Sequence, residues 1–309
     1  MLAYGFTRFG GPAEEALFEH PAPVPGRGEL LVRVRAAGVN PGDAKMREGA
    51  YGDVALPAVL GREVAGVVEA VGPGVTGVRP GDEVFGGTPG LLGGWAEMAL
   101  VIAAFAAPVP AGVDPVTAAV LPVAAGTAFD ALTQMALPEG ATLLVNGAGG
   151  GVGVAAVQLA VARGLRVVGV AGPAKHDLVA DLGAIPVAYG PGMAAAVRAA
   201  ASRVDAVFDL AGGDALRAAA ALAADPVTVR SVADRALATS LGGGPVVRDR
   251  STAVLVELAR LAAEGRLDPR VTETFPLVEA RRALARVESG HAEGKVALRV
   301  EGTIRTLGG

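Results

Sequence analysis

The sequence predicts an α/β fold in which a mostly antiparallel β region is followed by a doubly wound parallel sheet. Up to about Pro122 the chain consists of short strand-like runs separated by turn clusters rich in Gly and Pro. From about Ala124 onward, apolar strands alternate with helical segments, a pattern typical of a parallel sheet covered on both faces. A glycine-rich run joins the first of these strands to a helix. The 309 residues are enough for one large domain or two of ordinary size.

In the first region, apolar and basic residues alternate along Leu30–Ala37, which predicts a strand with one side facing solvent. The runs Glu63–Val71 and Asp82–Phe85 have a similar character. Turn clusters such as Gly72-Pro73-Gly74 and Arg79-Pro80-Gly81 separate them. We therefore expect these strands to form a mostly antiparallel β domain.

The second region begins with the apolar strand Thr142–Asn146 and the Ala-rich helix Val152–Arg163. The elements predicted after them alternate between strand and helix, as Leu165–Ala171, Lys175–Leu182, Ile185–Ala188, Met193–Ser202, Asp205–Leu210, Gly213–Ala223 and Val227–Val232. The last predicted elements are Thr252–Glu264, Arg270–Phe275, Leu277–Ser289 and Lys295–Val300. A helix before a final strand would let the C-terminus return to the β domain.

The strongest signal is the glycine-rich loop that follows Thr142–Asn146. Residues without a Cβ let the backbone turn sharply and approach a pyrophosphate, and the helix that follows offers free N–H groups to the anion. The flanking strand and helix favour a dinucleotide site over a plain structural turn, the alternative for any glycine cluster. The candidate binding residues in this loop are Gly147, Gly150, Gly151, Val152 and Gly153.

The end of the next strand indicates which dinucleotide binds. An NAD site usually has Asp or Glu there, about 20 residues past the glycines, to bind the ribose 2′-OH. This chain instead has Gly172 and Lys175, followed by His176, with no acid before Asp177. A lysine could face a 2′-phosphate, so NADPH is favoured, with Gly172 and Lys175 as candidate contacts. The alternative is a solvated start of the next helix.

Composition excludes several classes of protein. Lys and Arg number 27 against 31 Asp and Glu, a net charge of −4 that argues against nucleic-acid binding. The chain has no cysteine, which rules out disulfides and Cys-ligated metal sites, and its three histidines are far apart in sequence. The apolar run Met98–Ala107 is too short to span a bilayer, and Met1–Gly11 does not resemble a secretory signal. We therefore expect a cytoplasmic protein without membrane or nucleic-acid partners.

Short motifs in a characteristic order occur along nearly the whole chain: Ala37-Gly38-Val39-Asn40-Pro41-Gly42-Asp43, Leu60-Gly61-Arg62-Glu63, Gly81-Asp82-Glu83-Val84-Phe85, Gly94-Trp95-Ala96-Glu97, Leu121-Pro122, Gly126-Thr127-Ala128, Asp209 before Gly212-Gly213, and Gly294-Lys295. With them the chain resembles the medium-chain dehydrogenase/reductase superfamily, specifically its zinc-less quinone oxidoreductase and enoyl reductase branch. The resemblance implies a GroES-like catalytic domain, residues 1–122 and 268–309, around a Rossmann NADP(H)-binding domain, residues 123–267.

Two departures from the superfamily's zinc enzymes bear on the chemistry. Those enzymes have Cys where Asn40 stands and His where Arg62 stands, so we expect no metal here. Alcohol oxidation needs a Lewis acid or a tuned base to hold the alkoxide. Delivery of a hydride to an electrophilic π system is less demanding. The small-molecule substrate is therefore expected to be a quinone, an enone or an enoyl thioester.

The resemblance also suggests roles for individual residues. Tyr51 and Asn40 are the catalytic candidates. The phenol of Tyr51 could be a proton donor or only a pocket wall. The amide of Asn40, near the nicotinamide, could hydrogen-bond the substrate or the cofactor's carboxamide, or Asn40 could be a simple turn residue. Thr127 resembles a threonine that faces the nicotinamide, with helix capping as its alternative. The remaining candidate cofactor contacts are Tyr189, Gly212 and Lys295.

Other motif residues are expected to be structural. Asp43 and Glu63 are expected to fix turns or to pair with a nearby arginine such as Arg47. We expect His291 at a helix end or on the surface, and Trp95 packed in the β domain.

The run after the fourth parallel strand departs from the family, because Asp225-Pro226 stands where a glycine turn is usual. Val227–Val232 should still be a strand, and we expect the polar, Gly-rich stretch Ala233–Pro245 to be a loop. Relatives pair their Rossmann sheets edge to edge. The resemblance therefore implies a homodimer, with Val227–Val232 as the candidate edge.

These inferences lead to an NADPH-dependent, zinc-independent oxidoreductase that reduces a quinone or an α,β-unsaturated carbonyl. Two alternatives remain open. One is a biosynthetic tailoring reductase for a polyketide or acyl thioester. The other is an NADPH-binding sensor or structural protein with little turnover, since a fold does not determine a function.

Overall fold

The computed structural model describes residues 1–300 as two compact units. The first unit contains Met1–Val123, Arg250–Ala263 and the chain from Val271, and the second contains Ala124–Asp249 and Glu264–Arg270. The predicted boundaries stay a prediction; they differ from this division mainly at Arg250–Ala263, which the contacts assign to the first unit. Residues 301–309 of the predicted first domain lie outside the described residues.

The strands and helices are as follows in chain order. The chain begins with β1 Leu2–Phe6, β2 Glu15–Glu19, β3 Glu29–Val39, α1 Pro41–Arg47, β4 Ala58–Val59, β5 Glu63–Val71, β6 Glu83–Gly87, β7 Met98–Ile102, β8 Ala106–Pro108 and α2 Pro115–Ala119. It continues with α3 Gly126–Met135, β9 Thr142–Asn146, α4 Gly151–Ala162, β10 Arg166–Ala171, α5 His176–Asp181, β11 Ile185–Ala188, α6 Met193–Ala200, β12 Ala206–Asp209, α7 Gly213–Ala220, β13 Val229–Ser231, α8 Arg235–Ser240 and β14 Gly244–Pro245. It ends with α9 Thr252–Ala263, β15 Val271–Pro276, α10 Ala280–Glu288 and β16 Lys295–Arg299.

The first unit is mostly antiparallel, as predicted. Its larger sheet has the order β15-β16-β3-β5-β6-β8, with β7 also paired to β3. Among the strand pairs described for this sheet, β15 and β16 run parallel and the others antiparallel. A smaller sheet has the order β2-β1-β4. Along β3, Leu30, Val32 and Val34 are buried while Arg33 and Arg35 are exposed, because successive side chains point to opposite faces. The pairing of β16 with β3 confirms that the chain returns to the β unit.

The second unit contains the predicted parallel sheet. Within the described chain its order is β11-β10-β9-β12-β13-β14, and every adjacent pair is parallel. Strand β9 is buried along its whole length, as expected for a strand covered on both faces. The strand order reverses between β10 and β12, on either side of β9, and ligands bind at the carboxyl ends of strands at such a point. No helix within residues 1–300 has the length and apolar character needed to cross a membrane.

Two predictions about the end of this sheet that contains β13 and β14 are wrong. Val227–Val232 was expected to be the edge, but the strand there, β13, is covered by β14. Gly243 permits this close approach, since a Cβ at Gly243 would lie 2.4 Å from the Val229 carbonyl oxygen. The expected loop Ala233–Pro245 contains α8 as well as β14. The reason is a side-chain cap: Asp234 Oδ1 accepts from the Leu237 N–H at 3.0 Å.

Candidate functional site

The glycine-rich loop lies between the carboxyl end of β9 and the start of α4. Gly147 has a φ of 104°, a conformation that favours glycine, and its N–H donates to the Val170 carbonyl at 3.0 Å. A Cβ at Gly153 would lie 2.2 Å from the Gly147 carbonyl oxygen, so a side chain there would fill the turn. The first turn of the twelve-residue α4 provides backbone N–H groups for an anion. The structure thus gathers all five predicted loop residues, Gly147, Gly150, Gly151, Val152 and Gly153, in one turn.

Three buried polar side chains meet at the carboxyl ends of β9, β12 and β13. Asp209 accepts from Asn146 Nδ2 at 2.6 Å and from Ser231 Oγ at 2.7 Å. It also accepts from the N–H of Gly212, at 3.1 Å, which holds this predicted residue at the start of α7. Asn146 Oδ1 is buried and has no hydrogen-bond partner among residues 1–300. Sequence reasoning missed Asn146 and Ser231; the available signal was a polar residue that ends a buried strand.

The residues predicted to select the cofactor lie at the ends of β10 and β11. Gly172 follows β10, and the space where its Cβ would be is open. The side chain of Lys175 runs along the glycine loop, since a Cβ at Gly149 would come within 2.6 Å of Lys175 Cδ. Tyr189 follows β11 and is 42% exposed; burial raises the pKa of Tyr189, and the negative charge of Asp209 adds to the shift. The structure therefore brings Lys175 to the loop and Tyr189 into the electrostatic range of Asp209.

Thr127 is buried in the first turn of α3, but it does not cap that helix, whose N-cap residue is Ala125. Its hydroxyl accepts from Arg248 Nη1 at 2.8 Å. Arg248 Nε in turn pairs with Asp130 Oδ2 at 2.7 Å. Burial raises the pKa of Asp130, and the hydrogen bond and charge of Arg248 oppose that shift. The hydroxyl of Thr127 is therefore held by an arginine that the sequence did not indicate.

In the first unit, Asn40, Glu63 and Lys295 form a buried triangle of hydrogen bonds, and none is more than 5% exposed. Lys295 Nζ donates to Asn40 Oδ1 at 2.6 Å and to Glu63 Oε1 at 2.9 Å. Asn40 Nδ2 donates to the same Glu63 oxygen at 2.9 Å. These contacts join β16, the start of α1 and the start of β5, which are distant in sequence. The structure brings together two predicted site residues, Asn40 and Lys295, and adds Glu63, which was expected to be structural.

A second pair of charges adjoins the start of α1. Asp43 accepts from the Asn40 backbone N–H at 2.8 Å and from Arg62 Nε at 3.1 Å. Burial raises the pKa of Asp43, and the charge of Arg62 opposes that shift. The Arg62 guanidinium lies 5.4 Å from the centroid of the half-exposed Tyr51 ring, and its Nη2 has no partner in the described part of the chain. A Cβ at Gly42 would lie 2.5 Å from that guanidinium, so glycine makes room for it.

Asp43 fixes the start of α1 and pairs with an arginine, as expected, but the arginine is Arg62 and not Arg47, the example given; Glu63 pairs with Lys295. Arg47 is buried and pairs instead with Glu15, in a short contact, and with Glu288 at 2.7 Å. Arg47 is the last residue of α1, Glu15 begins β2 and Glu288 ends α10.

The two remaining structural predictions agree with the structure. Trp95 is fully buried, and its Nε1 donates to the Gly38 carbonyl at 3.1 Å. His291 is exposed beyond the end of α10. Among residues 1–300, no three His, Cys, Asp or Glu side chains are grouped in a way that could hold a metal ion.

Comparison with known proteins identifies the family. A model described as the alcohol dehydrogenase GroES-like domain matches residues 26–111, and one described as zinc-binding dehydrogenase matches residues 182–298. The structure of an alcohol dehydrogenase superfamily protein from Novosphingobium aromaticivorans is 32% identical with a TM-score of 0.83, over 97% of this chain and 100% of that one. A quinone oxidoreductase from Coxiella burnetii is 28% identical with a TM-score of 0.90, over 97% and 99%. This chain belongs to the quinone oxidoreductase branch of the medium-chain dehydrogenase/reductase superfamily.

Two curated relatives match this chain over different lengths. Quinone oxidoreductase of Rattus norvegicus is 40% identical over 175 residues, which are 56% of this chain and 53% of the relative. Erythronolide synthase of Saccharopolyspora erythraea is 35% identical over 304 residues, 91% of this chain but 8% of the synthase. The chain therefore spans about half the length of the first relative and a small part of the second.

Proposed function

We propose that this protein is an NADPH-dependent, zinc-independent oxidoreductase that transfers a hydride to a quinone or an α,β-unsaturated carbonyl compound. The observation that supports it most is the glycine loop at the carboxyl end of β9. A Cβ at Gly153 would overlap backbone there, and helix α4 begins there, with first-turn N–H groups that have no carbonyl partner within the helix. Few sites other than those for a phosphate-bearing ligand need this combination of glycine and helix start.

The residues present fit a dinucleotide. Gly147, Gly150, Gly151, Val152 and Gly153 would hold the pyrophosphate, and Lys175 beside the loop would hold a 2′-phosphate. Gly172 leaves the end of β10 open where an acid would otherwise bind the 2′-OH of NAD. When bound, the reduced nicotinamide supplies the hydride. Gly212, Tyr189 and Thr127 remain proposed contacts to the rest of the cofactor. The Lys295 ammonium already donates to three groups of the first unit, so the contact predicted for it is not part of this proposal.

The zinc-free part of the proposal rests on the donors around Asn40. Zinc sites in proteins use thiolate, imidazole and carboxylate ligands. Here an amide and a guanidinium stand at the two expected ligand positions, and the Lys295 ammonium touches Asn40. Two fixed cations repel a divalent ion, while the two carboxylates, Asp43 and Glu63, are already paired with them.

The chemistry then needs an acceptor that is already electrophilic. As the hydride forms a new C–H bond at the β-carbon, the C=C π pair moves toward the carbonyl and the oxygen becomes an enolate. A proton subsequently adds at the α-carbon and restores the carbonyl. We propose that Asn40 donates a hydrogen bond to the oxygen and that Tyr51 or a water molecule provides the proton.

The test is NADPH absorbance measured in parallel with 1,4-benzoquinone, an enone and a crotonyl thioester, with NADH as the control. We expect turnover with at least one acceptor, faster with NADPH, and unchanged after exhaustive chelation. Activity that disappears on chelation and returns with a divalent ion would contradict the zinc-free proposal. Full turnover of both Tyr51→Phe and Asn40→Ala would contradict the catalytic assignment.

A second candidate function is supported by one specific observation, the similarity to erythronolide synthase over 91% of the chain. On that reading the acceptor is an enoyl thioester in polyketide assembly, and the crotonyl thioester would be the preferred member of the panel. Tight NADPH binding without oxidation by any acceptor would instead favour a sensor or structural role.

We also propose a cytoplasmic homodimer, on the resemblance. The resemblance implies pairing of the sheets edge to edge. Both edge strands of the second unit's sheet, β11 and β14, contain a proline, which weakens such pairing, so the proposal does not include that mode of contact. Light scattering would measure the mass, and a monomer would contradict this part of the proposal.

A further inference from the structure

The triangle of Asn40, Glu63 and Lys295 determines which way the amide of Asn40 faces. An ammonium can only donate hydrogen bonds and a carboxylate can only accept them. Oδ1 must therefore face Lys295 and Nδ2 must face Glu63, as observed at 2.6 Å and 2.9 Å. A flipped amide would place its N–H groups against an ammonium and its oxygen against a carboxylate. The orientation of this amide thus follows from the charges on both sides.

The ammonium of Lys295 is fully used inside the first unit. Its three N–H groups match three acceptors: Asn40 Oδ1, Glu63 Oε1 and the Val39 carbonyl at 3.3 Å. Glu63 is equally occupied, because Oε1 accepts from Lys295 and Asn40 while Oε2 accepts from the Val123 N–H at 2.7 Å. The Asn40 amide nitrogen carries two hydrogens, and Glu63 takes one of them. The second N–H is what the triangle leaves for a ligand.

We propose that Lys295 and Glu63 are positioning residues that hold Asn40 as a hydrogen-bond donor to the carbonyl oxygen of the acceptor. This inference rests on the proposed function and deepens it. The acceptor's oxygen gains negative charge as the hydride adds, and a donor fixed before the reaction stabilises that charge without reorganisation. Lys295 also polarises the amide from its oxygen end, which strengthens the N–H as a donor.

The test separates positioning from stability with three variants. Lys295→Met removes the cation but leaves Glu63 buried and unpaired, so it is expected to destabilise the protein. The double variant Glu63→Gln/Lys295→Met removes both charges, and its melting temperature should return toward that of the parent. Arg33→Met, which removes an exposed arginine of β3 in the same sheet, is the matched control.

We expect the double variant to have a kcat reduced about tenfold or more, and a KM for NADPH within about twofold of the parent's. In other enzymes, loss of one oxyanion donor lowers kcat by about 10²–10³-fold. Recovery of kcat together with stability would overturn the inference, because the triangle would then be only structural. A change confined to the KM for NADPH would also overturn it, since the amide would then serve the cofactor.

A second readout needs no turnover. In the presence of NADP⁺, 4-nitrophenol is titrated from its neutral to its ionised form, which mimics an enolate oxygen. The parent should bind the phenolate more tightly than the neutral phenol. In Asn40→Ala and in the double variant this ratio of affinities should fall by a similar factor. Equal preference in all proteins overturns the inference. If the parent protein oxidises NADPH with none of the acceptors tested, the proposed function fails. The titration with 4-nitrophenol still tests the orientation of Asn40 in that case.

Discussion

The two units build their polar sites from different materials. In the second unit the candidate cofactor site consists largely of backbone: a glycine turn, the start of a helix, and peptide N–H groups held by Asp209. In the first unit the site consists of charged side chains paired across the chain, such as Lys295 with Glu63 and Arg62 with Asp43. A backbone site depends on which residues lack a side chain. A charged site depends on which side chains find a partner.

This difference determines how each site fails. A buried charge that loses its partner retains its desolvation cost, so the whole unit is destabilised. A glycine that gains a Cβ disturbs mainly the turn in which it lies, so ligand binding is lost before the fold. Variants in the first unit should therefore lose stability, and variants of the glycine turn should lose ligand affinity.

The largest effect is expected in the first unit, from Arg47→Met. Arg47 is buried between Glu15 and Glu288, and without it the carboxylate of Glu15, which is 4% exposed, loses its ion pair, since the neighbouring Arg281 bonds to the Glu15 backbone carbonyl. Such losses cost about 3–5 kcal/mol of unfolding free energy. Arg33→Met breaks the exposed Arg33–Glu69 pair and should cost about 0–1 kcal/mol. Urea denaturation measures both, and equal costs would show that burial does not control the first unit's charge pairs.

The next effect is on ligand binding by the second unit, from Gly153→Ala. Its Cβ would meet the carbonyl oxygens of Gly147 and Ala148 at 2.2 and 2.6 Å, so the backbone must shift. Overpacking costs about 1–3 kcal/mol, and about 1.4 kcal/mol is tenfold in affinity, so the Kd for NADPH should rise about 10- to 100-fold. Gly192→Ala, outside the loop, is the control, because nothing lies within 4 Å of where its Cβ would be and its φ of −84° suits alanine. Calorimetric titration measures both, and equal affinities would argue against a pyrophosphate in this turn.

The same contrast explains what the sequence could predict. Strand β5 was predicted with its observed bounds and the glycine turn was located, because both signals are local: hydrophobic alternation and missing side chains. The partners of the charged groups were not predictable. Arg47 lies near Asp43 in sequence yet pairs with Glu15 and Glu288, 32 and 241 residues away. Strand β14 was missed because two residues, one of them a proline, carry no strand signal of their own.

A smaller effect on the second unit is expected from Lys175→Met. Hydrogen bonds to charged groups contribute about 1.5–3 kcal/mol, so the loss of one cation beside the loop should raise the KM for NADPH about tenfold. The KM for NADH should stay unchanged, because NADH has no 2′-phosphate. Lys45→Met, at an exposed lysine of α1, is the control. An equal rise for both nucleotides would indicate that Lys175 does not read the 2′-phosphate.

The smallest effect is a pH dependence at the start of β9. A backbone hydrogen bond from Thr142, 2.8 Å long, is the largest contribution that lowers the pKa of Asp205 below its usual value of 3.8; the charge and hydrogen bond of Arg203 add to it. Because the folded protein binds this proton less readily than the unfolded chain, Asp205 stabilises the fold above the unfolded pKa, and this stability is lost as the pH falls through the folded value. The side chain is partly exposed, so the contribution is at most about 1 kcal/mol.

Asp205→Asn should therefore lower the urea midpoint slightly at neutral pH, and the difference from the parent should vanish in acid. The exposed Asp214→Asn is the control for the removal of a carboxylate from the same unit. A difference in urea midpoint between Asp205→Asn and the parent that stays constant across this pH range would contradict the prediction. The charge of Asp205 would then make no contribution to its contact with the Thr142 N–H.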